Sequence, residues 1–235
     1  MASSEHSSRE PAFDLGTFTR GLAHELANPL NALAMNAEVA RLLIERNDGQ
    51  RAKERLAALI ADCSRCGRLL HGIRRFGAGM SLAKTEPEPT TVAALVSAAS
   101  AQLKRHEPSP AVELHDADAT VVVDRIALQR VFEELLRNSV EAGASRVRID
   151  VSRPGPATRI DCSDDGAGIA PAVHDKIFEP FFSTRRNDGN AGLGLTLVQE
   201  LVRANGGTLD VLPGSERGTC VRIELPDERG QGAQP

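Results

Sequence analysis

A chain of 235 residues holds one large domain or two modest ones, and 41% hydrophobic with 26% charged residues fits a soluble globular protein. A net charge of -4 at pH 7 and a pI near 5.9 argue against nucleic acid or an anionic membrane surface as the main partner. No apolar run approaches the ~18–20 residues of a membrane span, and the start "MASSEHSSREPAFDLG" lacks a secretory signal, so the expectation is a cytoplasmic protein.

Residues 1–12 are expected to be disordered. From Phe13 to about Arg46, Phe18, Leu22, Leu26, Leu30, Leu33, Ala37, Ala40 and Ile44 recur at intervals of three and four. That spacing predicts a long amphipathic helix. "NDGQ" (47–50) is a turn signal, and a second stripe follows through Leu56, Ile60, Cys63, Leu70, Ile73 and Phe76. The two helices form a hairpin over residues 13–80. A lone hairpin cannot surround its own apolar stripe, so a homodimer joined as a four-helix bundle is predicted. The four cysteines include one C-x-x-C, Cys63 and Cys66, whose i, i+3 spacing inside the apolar repeat reads as packing rather than redox or metal chemistry.

Inside the first helix stands "HELANPLNAL" (24–33). A zinc motif H-E-x-x-H needs a second histidine at position 28, which is Asn28, so that reading fails. A neutral imidazole is a competent nucleophile near pH 7 if a neighbour holds its other ring N–H, a task suited to Glu25. Asn28, one turn on, shares the face of His24 and could position a water there. Pro29 removes a helix hydrogen bond and predicts a bend. The structural alternative is a solvated His24–Glu25 pair on a bundle surface.

Gly77, Gly79 and the proline-bearing "KTEPEPT" (84–90) mark a linker, placed at 81–90. Beyond it, over 91–226, the pattern is mixed. Helices fit 91–105, 124–142 and about 192–205, and strands fit 111–114, 120–123, 145–152, 157–162, 207–212 and 219–225. Strands with helices on one side predict an α+β sandwich rather than a doubly wound sheet. The tail 227–235 is expected to be disordered.

No P-loop and no strand-borne G-x-G-x-x-G is present. Three other pieces occur in order. "EELLRNSVEA" (133–142) puts Glu134 and Asn138 on one helix face. "DDGAGI" (164–169) follows a strand, and "GNAGLGLTLV" (189–198) opens a helix. Asn138 offers an oxygen suited to Mg2+, and Asp164 can accept from the exocyclic amine of adenine. Gly166 and Gly168 permit close approach to the ring, and Gly192, Leu193 and Gly194 aim N–H groups at phosphates. The polar "STRRNDGN" (183–190) between them reads as a lid, with Arg185 and Arg186 as candidates for the γ-phosphate charge.

Together these pieces resemble the ATP-binding domain that sensor histidine kinases share with gyrase, MutL and the heat-shock chaperones. "EELLRNSVEA" matches the N box, "DDGAGI" the G1 box, "IFEPFFSTRR" (177–186) the F box and "GLGLTLVQELVRANGG" (192–207) the G2 region. "HELANPLNAL" is similar to the H box of their dimerisation and phosphotransfer domain. The resemblance implies Mg-ATP as cofactor, His24 as phosphoacceptor, Glu25 as its acid/base partner and Asn28 as a residue for dephosphorylating the regulator. It also implies a response regulator receiver domain as partner, with input from a separate sensory protein or from a longer chain of which this is a fragment. Two positions depart from the pattern. Kinases of this family usually carry asparagine where Glu134 stands, so Glu134 is a second magnesium ligand or a water-activating base. The G2 region usually begins with glycine where Asn190 stands. Rival readings are a GHKL-type ATPase driven by Glu134, and a regulator-docking phosphatase with little kinase turnover.

Overall fold

Helix α1 (Leu15–Glu45) begins at Asp14, whose carboxylate accepts from the Gly16 and Thr17 N–H groups at 2.9 and 3.1 Å, satisfying donors that the first turn leaves open. In this computed structural model, residues 13–82, 85–103, 110–184, 190–213 and 218–227 are described. The chain divides into two units, Met1–Gly67 and Arg68–Pro235.

In the first unit α1 runs on through Pro29, which is buried, and ends at a tight turn. Asn47 takes a left-handed φ of 56° there, and α2 (Gly49–Leu82) starts at once. The hairpin is tied across by Asn36 Nδ2 donating to Asp62 Oδ2 at 3.2 Å. Among the described residues of this unit, Phe18, Pro29, Ala40 and Ala52 alone are buried. Leu15, Leu30, Met35, Leu42, Ile44, Leu56 and Ile60 are exposed. Cys63 is exposed and Cys66 only half-buried, so the expected packing of both thiols does not hold within one chain.

The second unit starts inside α2. Gly77 and Gly79, read from the sequence as linker marks, are helical; a β-carbon on Gly79 would lie 2.8 Å from both terminal methyls of Leu197. The expected linker also holds a strand, β1 (Glu88–Thr91), which pairs antiparallel with β3 (Thr120–Val123). α3 (Val92–Leu103), β2 (Ala111–His115) and α4 (Arg125–Glu141) follow. Then come β4 (Arg146–Ser152), β5 (Ala157–Asp164), a 3-10 turn at Pro171–Lys176, α5 (Gly194–Ala204), β6 (Thr208–Pro213) and β7 (Thr219–Pro226).

The main sheet has the order β2-β4-β5-β7-β6. β2 runs parallel to β4, and the other pairs are antiparallel. Burial alternates along β4, β5 and β7, so that Val147, Ile149, Val151, Ile160, Cys162, Val221, Ile223 and Leu225 face one side. α4 meets them with Leu128, Val131, Phe132 and Leu136, and contacts both α3 and α5. Burying such side chains is worth about 1.5–3 kcal/mol each. This is the α+β sandwich with helices on one face that the patterning predicts.

The start of α4 is fixed with particular care. Asp124 Oδ1 accepts from Ile126 and Ala127 N–H, both at 3.0 Å, and Oδ2 accepts from Thr85 N–H at 2.9 Å. Burial pushes the carboxyl up, but these hydrogen bonds outweigh it and hold it below the usual carboxylate range.

Candidate functional site

The C-terminal half of α4, the loop after β5 and the start of α5 enclose a cavity of about 230 Å³ in the second unit. Glu134, Asn138, Asp164, Gly168, Gly192, Leu193 and Gly194 all line it. Residues up to sixty positions apart in sequence thus converge on one cavity.

Glu134 and Asn138 project from one face of α4 toward the first turn of α5. A β-carbon on Gly194 would sit 3.4 Å from Asn138 Oδ1 and 3.5 Å from Glu134 Oε2, ordinary van der Waals distances that place the start of α5 directly against both side chains. Asn138 lines the cavity, and its Nδ2 is buried with no hydrogen-bond partner. Glu134 is engaged: both its oxygens accept from Arg75 Nη2, and Arg130 Nη2 lies 3.6 Å from Oε1.

The two aspartates of "DDGAGI" part company. Asp164 Oδ1 accepts from Gly166 N–H at 2.9 Å and Thr219 N–H at 3.3 Å, and the side chain faces the cavity. Asp165 turns away to Ser145, accepting from its hydroxyl at 2.6 Å and its N–H at 2.8 Å. The Ser145 hydroxyl and the Arg146 N–H hold the Asp165 carboxyl down at about 2. Gly166 does not line the cavity but seats the loop: a β-carbon there would lie 2.7 Å from that of Ala142. Gly168 takes φ +75° with the Gly218 carbonyl oxygen 2.9 Å from where its β-carbon would be.

The F box is locked to the start of α5. Phe181 N–H donates to Gly192 O at 2.9 Å, and Thr196 Oγ1 donates to Phe178 O at 3.0 Å. Phe181 itself is buried with φ 67°, a conformation costly for a side chain of that size and tolerated where its surroundings fix it. Asn190 donates to Glu141 Oε2 at 2.8 Å, giving the departure from glycine a partner on α4. Arg185 and Arg186 lie outside the described residues.

In the first unit His24 is exposed on α1, and Asn28 Nδ2 lies 3.3 Å from His24 Nε2. Glu25 Oε2 lies 4.0 Å from Arg65 Nη2 on α2. Sequence reasoning missed Arg75 and Phe76, which line the cavity from the last turns of α2 within the second unit, and Ser139, whose hydroxyl lies 3.5 Å from Asp164 Oδ2. The signal that could have found Arg75 was Glu134 itself, because a buried carboxylate needs a cation.

The donor set suits magnesium held by protein and phosphate together. Among the described residues no three His, Cys, Asp or Glu side chains converge as a metal cage. One or two hard oxygens are enough where phosphates complete the shell, and Asn138 Oδ1 stands beside Gly194 at the cavity.

Residues 14–78 match the family described as His Kinase A (phospho-acceptor) domain, and residues 123–229 match Histidine kinase-, DNA gyrase B-, and HSP90-like ATPase. The chain is 30% identical over 221 residues to the C4-dicarboxylate transport sensor protein DctB of Rhizobium meliloti (strain 1021), covering 90% of this chain and 34% of that protein. It is 28% identical to the tetrathionate sensor histidine kinase TtrS of Salmonella typhimurium (strain LT2), covering 92% of this chain and 38% of that protein. The chain thus spans roughly a third of the length of such relatives. Among solved structures, a mycobacterial sensor histidine kinase, MprB, superposes with a TM-score of 0.53 at 26% identity, covering 60% of this chain and 97% of that one. Full-length ShkA, solved in complex with AMPPNP, gives 0.54 at 25% identity, covering 88% of this chain and 45% of that one. By its two matched domains and their order, the chain belongs to the sensor histidine kinases with a GHKL-type ATP-binding domain.

Proposed function

We propose that this chain is an ATP-dependent histidine kinase that phosphorylates its own His24 and passes the phosphoryl group to an aspartate of a response regulator. The observation that carries the proposal is the convergence of the N, G1 and G2 residues on one cavity, with a phospho-acceptor helix preceding it in the same chain. In this reading Asp164 accepts from the adenine amine, and the N–H groups at Gly192 to Gly194 face the phosphates. Asn138 would hold Mg2+, which would supply positive charge to the phosphate oxygens. Arg185 and Arg186 neutralise the γ-phosphate further. The chain contributes positioning and electrostatics, which is most of what phosphoryl transfer requires.

An unprotonated ring nitrogen of His24 is the nucleophile, with Glu25 as the acid/base partner. The contact between Asn28 and His24 Nε2 supports a further role for Asn28, positioning a water for dephosphorylation of the regulator. The exposed apolar side chains from Leu15 to Ile60 support a homodimer in which a second copy completes a four-helix bundle. No helix among the described residues is long and apolar enough to cross a membrane. A separate sensory protein, or a sensory segment of a longer chain, supplies the input, and the kinase acts in the cytoplasm. The functional division follows residues 13–80 for dimerisation and phosphotransfer, 81–90 for the linker and 91–226 for ATP binding.

The test is incubation with magnesium and ATP labelled on its γ-phosphate, beside His24→Ala. The proposal expects acid-labile, base-stable protein label that His24→Ala lacks. Equal label in both proteins, or free phosphate with no label, contradicts it.

A further inference from the structure

Arg75 belongs to none of the motifs that define the nucleotide site, yet it lies in the same cavity as Asn138 and Asp164. Its Nη2 donates to both carboxylate oxygens of Glu134, whose side chain is 4% exposed against 26% for Arg75. Arg130 is a weaker neighbour. Its Nη1 is committed to Glu133 at 2.6 Å, and its Nη2 stands 3.6 Å from Glu134 Oε1.

A glutamate at this place is chemically consequential. A general base needs a carboxylate oxygen within hydrogen-bond reach of the proton it takes. Glu134 is in the cavity, on the same helix face as Asn138 and beside Gly194, where a water near the phosphates would be in reach. Both its oxygens are nevertheless directed at Arg75.

We infer that Arg75 is a positioning residue that holds Glu134 away from water, keeping the γ-phosphoryl group of ATP for histidine transfer instead of hydrolysis. The suppressed step is hydrolysis of ATP. A water oxygen bonds to the γ-phosphorus as the bond to the β–γ bridging oxygen breaks, and Glu134 takes the water proton. ADP and inorganic phosphate leave, and Glu134 returns the proton to solvent. The benefit to histidine transfer rests on the proposed function; the control of Glu134 by Arg75 does not.

The experiment uses the full chain in a His24→Ala background, so that every phosphate released comes from direct hydrolysis. Arg75→Gln, a neutral side chain of similar reach, raises phosphate release with Mg-ATP by on the order of 10-fold or more. The added Glu134→Gln removes that rise, and Arg75→Lys gives an intermediate rate. A second readout needs no nucleotide. Carbodiimide-driven coupling of an amine to Glu134, read by mass spectrometry, increases several-fold in Arg75→Gln over the background protein. Phosphate release within twofold of the background, a rise that survives Glu134→Gln, or unchanged coupling at Glu134 overturns the inference. If Arg75→Gln shows no cooperative melt, Arg75→Lys decides: a rise lost on Glu134→Gln supports the inference and no rise overturns it. A wild-type chain that fails to label His24 defeats the proposed function and leaves this comparison intact.

Discussion

Asp164 and Gly166 are tied across two residues, the Gly166 N–H donating to Asp164 Oδ1 at 2.9 Å. With Thr219 N–H on the same oxygen, the carboxylate is held in one orientation in the cavity. Preorganisation of this kind lowers the ordering cost of binding. Asp164→Asn is expected to weaken nucleotide binding by about 10- to 100-fold, the ~1.5–3 kcal/mol of a hydrogen bond to a charged group. Titration with a fluorescent ATP analogue measures it. Asp165→Asn, which alters the Ser145 contacts outside the cavity, serves as the control and leaves affinity within a few-fold.

Asn138 should be the magnesium-sensitive position. Its Oδ1, a hard oxygen of the kind magnesium takes, stands at the cavity beside the start of α5. Asn138→Ala is predicted to reduce nucleotide affinity by on the order of 10-fold or more in magnesium, and by much less in EDTA, since the amide acts through the metal. Calorimetric titration of both proteins with and without chelator checks this difference of differences.

Glycines around the loop ends differ sharply in what they tolerate. A β-carbon at Gly218, where φ is +88°, would lie 1.9 Å from the Asp164 carbonyl oxygen, and one at Gly192 would lie 2.4 Å from that of Phe182. Gly155 has nothing within 4 Å. Gly218→Ala and Gly192→Ala are each expected to lose at least ~1–3 kcal/mol of stability from backbone strain. Gly155→Ala should change it by no more than about 0.5 kcal/mol, as surface substitutions usually do. Denaturant unfolding of the three variants measures the contrast.

Asp124 makes a prediction in pH. Its folded carboxyl lies below the ordinary value of 3.8, so its stabilisation is complete above that value and is lost as pH falls toward the folded value. Asp124→Ala should cost about 1–2 kcal/mol at neutral pH, as loss of a helix cap does. The gap between wild type and variant should hold steady down to about pH 5 and shrink below about pH 4. Unfolding curves across that range test both sign and window.

Much of this was readable from the sequence because its signals are local. The 3.6-residue stripe of α4 and the alternation of β4, β5 and β7 report burial directly, and the order of the boxes brought the cavity residues together. What was missed depended on distant partners. Gly77 and Gly79 looked like chain breaks, but Gly79 is small because Leu197 leaves no room for a β-carbon. β1 hid among prolines because its one strand partner, β3, places no demand on a central ladder. Arg75 looked like any arginine on an amphipathic helix, since its partner Glu134 is 59 residues away. For Asp164 and Asp165, adjacent and alike, only the fold separates the two roles, by setting Ser145 and Arg146 beside Asp165 and the cavity beside Asp164.

The most direct measurement is tandem mass spectrometry, under conditions that preserve phosphohistidine, of the chain incubated with magnesium and ATP. One HPO3 group on the peptide carrying His24, and about 10-fold less of it or lower when Asp164→Asn is treated alike at limiting ATP, is the predicted result. ATP consumed with no phosphopeptide, or the group found on a different residue, would contradict the account.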